Sequence, residues 1–228
     1  MLKRFFASSI LSSCILLAGS TSPCSTLRPG FEGGLHYTSQ EFDDEDAVSE
    51  VSGLAGFAVG GFVEIPMGQG RSLIPGLRYL REGHDVIFDT GLDDPEGRHE
   101  GDLKITQDYV SMPLLFKASL QNLPGLFFKV GAEVGFLISA RADGREREHV
   151  KNGDFIKIID PKDEDISDHL RTARLSVDLG AGYEFPLGRH QGYVELRYDQ
   201  GVSDTAKGER FFSNWQTGGV DVLFGLTW

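Results

Sequence analysis

The sequence predicts an all-β fold: an eight-stranded antiparallel up-and-down transmembrane β-barrel, with short turns at one end and four long outer loops at the other. Three observations carry this. No apolar run approaches the roughly 18 residues of a spanning helix, and a closed barrel is the other structure that satisfies its backbone in lipid. Segments of about ten residues alternate apolar and polar side chains, the period of a strand with two unlike faces. The connections between those segments alternate short and long along the chain.

The N-terminus reads as a separate object. Lys3 and Arg4 precede an apolar, serine-dotted run from Phe5 to Gly19, and Ala18-Gly19-Ser20 has the small-x-small pattern of a cleavage site. Residues 1–20 are therefore expected to be a signal peptide, cut near Ser20 or a few residues later. Residues 21–29 then form a short linker and 30–228 the barrel. Cys14 and Cys24 are the two cysteines of the chain, so a disulfide framework and a cysteine-ligated metal site are excluded from the folded domain. Leu11-Ser12-Ser13-Cys14 also has the form of a lipoprotein-type box, although the apolar residues after Cys14 suit the middle of a signal peptide better. With Lys3 and Arg4 removed, the net charge falls from −12 to −14. Such a balance repels phosphates and argues against nucleic acid as a partner.

Eight strands are expected, over Gly30–Ser39, Leu54–Ile65, Ser72–Arg81, Lys104–Ser119, Leu126–Arg141, Arg171–Phe185, Gly192–Ser203 and Asn214–Trp228. The connections Pro66–Arg71, Leu120–Gly125 and Pro186–Gln191 are compact and rich in Gly, Pro or Asn, the chemistry of tight turns. The other four, Gln40–Gly53, Glu82–Leu103, Ala142–Leu170 and Asp204–Ser213, are long and polar. Their strict alternation puts every long loop at one end, and both termini at the other. Within the third loop, Phe155–Ile159 keeps a β-branched alternation and is read as a hairpin extension.

The last strand sets the orientation. Val220, Val222, Phe224, Leu226 and Trp228 share one face, and Asp221, Leu223, Gly225 and Thr227 the other. Apolar faces recur in Phe128–Ile138, Leu175–Phe185 and Val194–Tyr198. The opposite faces collect Glu64, Arg78, Lys117, Lys129, Glu133, Asp178, Glu184, Glu195, Arg197, Asp199 and Asp221. A lipid-facing Lys or Arg near the bilayer midplane costs about 2–4 kcal/mol. Several would exceed a typical stability of roughly 5–15 kcal/mol, so these charges are expected to line the lumen as a paired network. Outward aromatics sort by height. Phe31, Phe116, Phe128, Phe185 and Trp228 lie towards the short turns, and Tyr37, Tyr79, Phe136 and Tyr198 towards the long loops. That sorting matches two interfacial girdles.

Several stretches resemble a known family. They are Gly60–Gly68 (GGFVEIPMG), Leu73–Gly83 (LIPGLRYLREG), Tyr109–Leu120 (YVSMPLLFKASL), Phe127–Ala140 (FFKVGAEVGFLISA), Asp178–Gly188 (DLGAGYEFPLG) and Val194–Asp204 (VELRYDQGVSD), followed by the final strand. In order and spacing they resemble the bacterial outer-membrane β-barrel family called PorT-like, within the wider OmpA-type group. The resemblance implies an outer-membrane location in a Gram-negative-type bacterium. It implies outer-membrane lipid and lipopolysaccharide as surroundings; apart from the resemblance, an envelope protein partner is expected at the long loops. The resemblance also implies that Phe224, Leu226 and Trp228 form the terminal signal read by the barrel assembly machinery. It brings no catalytic residue.

Candidate chemistry is thin. Of the six histidines only His36 falls in an expected strand, where its parity points it inward, and no His-x-Ser occurs. A nucleophile needs its base within reach, and the histidines are read as structural or loop residues. Asp43–Asp46, Asp93–Glu96 and Asp163–Asp165 offer oxygen ligands for calcium or magnesium but lack the EF-hand pattern. They are read as solvated loop charge. No cofactor, metal or catalytic residue is expected. The primary expectation is a non-enzymatic outer-membrane barrel for envelope integrity, adhesion or membership of an envelope complex. The alternatives are a soluble secreted lipocalin-like barrel binding a small apolar ligand, and a lipid A-modifying enzyme.

Overall fold

The computed structural model describes residues 26–41, 48–89, 98–149, 155–159, 164–167, 170, 172–202 and 216–228. The strands are β1 (Arg28–Glu41), β2 (Val48–Gly68), β3 (Arg71–Asp89), β4 (Arg98–Ser119), β5 (Leu126–His149), β6 (Phe155–Ile159), β7 (Glu164–Asp165), β8 (Ala173–Leu187), β9 (His190–Gly201) and β10 (Gln216–Thr227). Eight of them close a barrel in which each long strand pairs antiparallel with its chain neighbours. The pairing β10–β1 completes the ring, from Gly30 opposite Thr227 to Glu41 opposite Gln216. The two short strands pair on β5 outside the ring; the hairpin extension expected of Phe155–Ile159 is β6, whereas Glu164–Asp165, expected as loop charge, forms the short β7.

The short connections work as tight turns. Gly68, Gln69 and Gly70 all take left-handed backbone, with φ of 85°, 54° and 71°, which lets β2 reverse into β3 within two residues. β1 to β5 overrun the expected bounds at the outer end and β8 and β9 at the turn end, whereas β8, β9 and β10 fall two residues short of their expected outer bounds. The barrel begins at Arg28 rather than Gly30, β8 runs to Leu187 rather than Phe185, and β9 opens at His190 rather than Gly192. At the outer end strand extends into three of the four expected loops: β2 starts at Val48, β3 continues to Asp89, β4 starts at Arg98 and β5 continues to His149, while the fourth, Asp204–Ser213, lies outside the described residues. These extensions carry charge on their outer faces, as where Lys104 stands opposite both Asp85 and Asp143. Their sequences lack the strict apolar–polar alternation of the lower strands, as in Glu82-Gly83-His84-Asp85, and main-chain pairing holds them as strands. The N-terminal segment with Cys14 and Cys24, and the acidic runs Asp43–Asp46 and Asp93–Glu96, lie outside the described residues.

The apolar face points outward. Phe224, Leu179, Leu196 and Leu35 are more than half exposed, whereas Arg197 and Asp221 are fully buried. A soluble lipocalin-like barrel has the opposite polarity, so that alternative fails on the faces themselves. Going up β3 the outward residues run Leu77, Tyr79, Arg81, Asp85, and going up β5 they run Val134, Phe136, Ile138, Arg141, Asp143. The change from apolar through aromatic to charged marks the edge of the hydrocarbon. β10, with 12 residues, covers about 30 Å of axis at a tilt of about 40°. β4 and β5, with 22 and 24 residues, rise well beyond it.

Inside, two apolar layers divide the charge. Phe62, Ile74, Leu115, Phe127 and Tyr193 form one near the short turns. Ala58, Leu80, Tyr109 and Leu223, with Leu137 against them, form a second. Glycines open the wall for these rings: a Cβ on Gly225 would meet the Tyr193 ring at 2.1 Å, and one on Gly182 the Phe127 ring at 2.3 Å.

Candidate functional site in the barrel lumen

Strand parity delivers the charged side chains to one interior. All eleven residues of the expected network face it, and Glu184 is the least enclosed of them. They do not form one continuous network. They fall into three groups, each drawn from several strands.

The group nearest the short turns is centred on Glu64. Ser72 Oγ donates to Glu64 Oε1 at 2.7 Å, and Lys117 Nζ reaches the same oxygen at 3.1 Å and Glu184 Oε1 at 2.5 Å. Arg28 Nη1 stands 3.7 Å from Glu64 Oε2 at the rim. Two acids thus face two cations.

The second group is Glu32, Lys129, Glu195 and Arg197. Arg197 donates from Nη1 and Nη2 to the two oxygens of Glu32, both at 3.0 Å, and from Nε to Glu195 Oε1 at 2.8 Å. Lys129 Nζ donates to Glu195 Oε2 at 2.5 Å while lying 4.5 Å from the centre of the Tyr193 ring. Tyr193 completes the shell by donating its hydroxyl to Glu32 Oε2 at 2.6 Å. Again two acids face two cations, with the fork of Arg197 used in full.

The third group is richer in acid. Arg78 Nη1 donates to Asp221 Oδ2 at 2.9 Å, and Arg78 Nε stands 2.9 Å from Glu133 Oε2. Arg174 joins Glu82 Oε2 at 2.6 Å to Asp199 Oδ2 at 2.9 Å. His36 Nδ1 lies 2.7 Å from Asp221 Oδ1, and its Nε2 lies 3.8 Å from Glu82 Oε2. Asp178 and His84 are buried at the same level. Among the described residues, Glu133 and Asp221 pair with Arg78, Glu82 and Asp199 with Arg174, and neither oxygen of Asp178 has a hydrogen-bond partner. Donor atoms of His36, Asp199 and Asp221 lie within 4.8 Å of one another, close enough to share an ion.

Sequence reasoning passed over Glu32, Glu82, His84 and Arg174. Parity could have found all four. Glu32 alternates with Phe31 on β1, Arg174 lies in phase with Asp178, and Glu82 and His84 continue the phase of Arg78. The last two were lost because β3 was expected to end at Arg81, which left His84 in a loop. In the structure it lies within β3, fully buried. Outside the membrane band, Asp165 accepts from Ser167 N at 2.9 Å. Hydrogen bonds from the Ser167 side chain and then its backbone hold the Asp165 carboxyl below the usual carboxylate range.

No curated protein sequence matches this chain. Among solved structures, Neisserial surface protein A is similar at 10% identity and TM-score 0.43, over 88% of this chain and 95% of that one. OprG of Pseudomonas aeruginosa is similar at 12% identity and TM-score 0.41, over 90% and 97%. Ail of Yersinia pestis, solved with the heparin analogue sucrose octasulfate, is similar at 12% identity and TM-score 0.39, over 89% and 99%. The model of one family, described as outer membrane protein beta-barrel domain, matches residues 18–207. The closed barrel with its outward apolar face agrees with that description, and the chain belongs to the outer membrane protein beta-barrel domain family.

Proposed function

We propose that this outer-membrane barrel is non-catalytic and works through its outer end, as a surface element of the envelope or a component of an envelope complex. The observation that carries this reading is the change along β3, β4 and β5. Their outward faces turn from apolar to charged at Arg81 and Asp108, whose side chains pair at 2.7 and 3.0 Å. All three strands then continue outward, over a lumen filled by side chains. Eight strands enclose an interior just wide enough for such filling, so the barrel is an anchor and the projecting sheet meets the partner. His36 is enclosed at the centre of the lumen, out of reach of a lipid A acyl chain in the outer leaflet, which weighs against a lipid-modifying activity. The narrower PorT-like, OmpA-type affiliation suggested by the motifs belongs with this reading, as do handling of the terminal strand by the barrel assembly machinery and export through a signal peptide at residues 1–20.

Three measurements test it. The protein should fractionate with membranes and show a heat-modifiable gel shift. In planar bilayers it should give no steady ohmic pore. In intact cells a photo-cross-linker at Lys104, above the membrane band, should capture a discrete envelope protein, whereas one at Leu179 should capture lipid. A protein that stays soluble after detergent-free lysis, or a stable channel, would overturn the proposal.

A further inference from the structure

The lumen charges are not balanced at every level. Among the described residues, the two groups nearer the short turns each set two carboxylates against two cations. The third sets five carboxylates, Glu82, Glu133, Asp178, Asp199 and Asp221, against Arg78 and Arg174. All five are under 2% exposed. Charges taken out of water at this depth require partners, and the penalty for an unmatched one is several kcal/mol. Arg197 is near enough to act on Asp178 and Asp221 through space, but its nitrogens bond Glu32 and Glu195 and its charge is already matched in that group. The whole acid excess of the lumen thus sits at the level that holds both of its histidines, His36 and His84.

Unsatisfied atoms gather at the same place. Asp199 bonds Arg174 through Oδ2 and leaves Oδ1 without a hydrogen-bond partner. His36 Nε2 and both oxygens of Asp178 are in the same state. Asp178 stands directly opposite Asp199 across β8 and β9, an arrangement of like charges that is destabilising unless something cationic lies between or beside them. The wall gives way here too: a Cβ on Gly219 would meet His36 Cε1 at 2.3 Å, His36 Nε2 at 2.7 Å and Asp199 Oδ1 at 2.9 Å. Gly219 is what allows an imidazole and a carboxylate to converge at this wall.

From these observations we propose that the barrel binds one divalent metal ion in its lumen, held by His36, Asp199 and Asp221, with Asp178 as a charge-compensating neighbour. One imidazole and two carboxylates form a donor set suited to zinc or manganese rather than to a soft thiophilic ion. Their donor atoms lie within 4.8 Å of one another, so binding needs only a small contraction. Arg78 and Arg174 hold Asp221 Oδ2 and Asp199 Oδ2; Asp199 Oδ1 has no hydrogen-bond partner, and Asp221 Oδ1, now paired with His36 Nδ1 at 2.7 Å, turns to the ion when the ion replaces the proton between them. A divalent ion offsets most of the charge excess with both histidines neutral. Without it the same level must take up protons instead. The ion would serve as a rivet joining β1, β9 and β10 beside the seam where the barrel closes.

The test is refolding of the full chain in detergent with zinc or with chelator, since a buried site exchanges slowly once the barrel has closed. After gel filtration, one zinc per chain should remain by elemental analysis, with a higher midpoint of thermal unfolding than the chelator-refolded sample. His36→Ala and Asp199→Asn should lose the retained metal. Asp178→Asn keeps all three ligands and should weaken binding about tenfold, the size of an outer-shell effect. Glu64→Gln, in the balanced group near the turns, should retain the ion. The heat-modifiable gel shift reports folding of each variant, and wild-type retention with Asp178→Asn decides the matter if His36→Ala does not fold. Wild-type protein that refolds without retaining metal, or retention unchanged in folded Asp199→Asn, would overturn the site. The first outcome would assign the charge excess to bound protons.

Discussion

Lys117 on β4 and Lys129 on β5 stand directly opposite one another, both pointing into the lumen. Two ammonium groups facing each other across a strand pair are destabilising unless each has its own acid. Here they diverge: Lys117 turns to Glu64 and Glu184, Lys129 to Glu195. The Phe127 ring lies near both, 5.3 Å from one ammonium and 5.2 Å from the other. The pair works because the surrounding strands supply acids on separate sides.

Removing one lysine should therefore be costly and removing a whole group much less so. Lys117→Met leaves Glu64 and Glu184 without their main cation and is expected to lower stability by about 3–5 kcal/mol. Adding Glu64→Gln and Glu184→Gln to that variant should recover much of the loss. Urea unfolding in detergent, followed by intrinsic fluorescence, measures both.

The lipid-facing reading makes a prediction that depends on the solvent. Leu179 is 55% exposed on the outward face of β8. Leu179→Arg should cost about 2–4 kcal/mol in a bilayer if the site lies near the midplane. Refolding into phospholipid vesicles, with a denaturant titration of wild type and variant, reads the difference. A neutral result would place this face in water.

Packing inside the barrel should be intolerant of a single methyl group. Gly225→Ala puts a Cβ 2.1 Å from the enclosed Tyr193 ring, which is tied to Glu32 and has little room to withdraw. The expected loss is about 1–3 kcal/mol. Gly188→Ala meets no atom within 4 Å, yet its φ of +65° strains any side chain. It should cost about 1 kcal/mol or slightly more through backbone alone. Thermal unfolding of the two variants separates crowding from strain.

The end of β10 should matter more to assembly than to the finished fold. Trp228 is half exposed, with its ring beside those of Phe31 and His190 at centroid distances of 6.0 and 6.5 Å and its backbone N donating to Pro29 O at 3.2 Å. Trp228→Ala should change the denaturant midpoint of refolded protein little while lowering the heat-modifiable fraction in cells. Equal losses in both measurements would reduce Trp228 to a packing residue.

Much of this molecule is legible in its strand parity. Val220 to Trp228 alternating with Asp221 to Thr227 indicates which side chains meet lipid, because a lipid-facing charge is expensive and the period of a strand is two. The short turns could be located for the same kind of local reason, since Gly68 and Gly70 must adopt backbone that other residues avoid. The outer ends of β3, β4 and β5 were not legible. Above the membrane no lipid enforces apolar–polar alternation, and there hydrogen bonding to a neighbour is what distinguishes strand from loop.

Which charges share a group was decided by tertiary structure alone. Parity sends Asp221, Arg78 and His36 inward from β10, β3 and β1, but their meeting depends on register and on the stagger of a closed barrel. Neither quantity is written in any one strand. The sequence by itself therefore determined the fold, the polarity of its two faces and the identity of most interior charges, through periodicity and the cost of charge in lipid. Closure of the ring decided that two groups of those charges would balance and that the third, around His36, would carry an excess of acid.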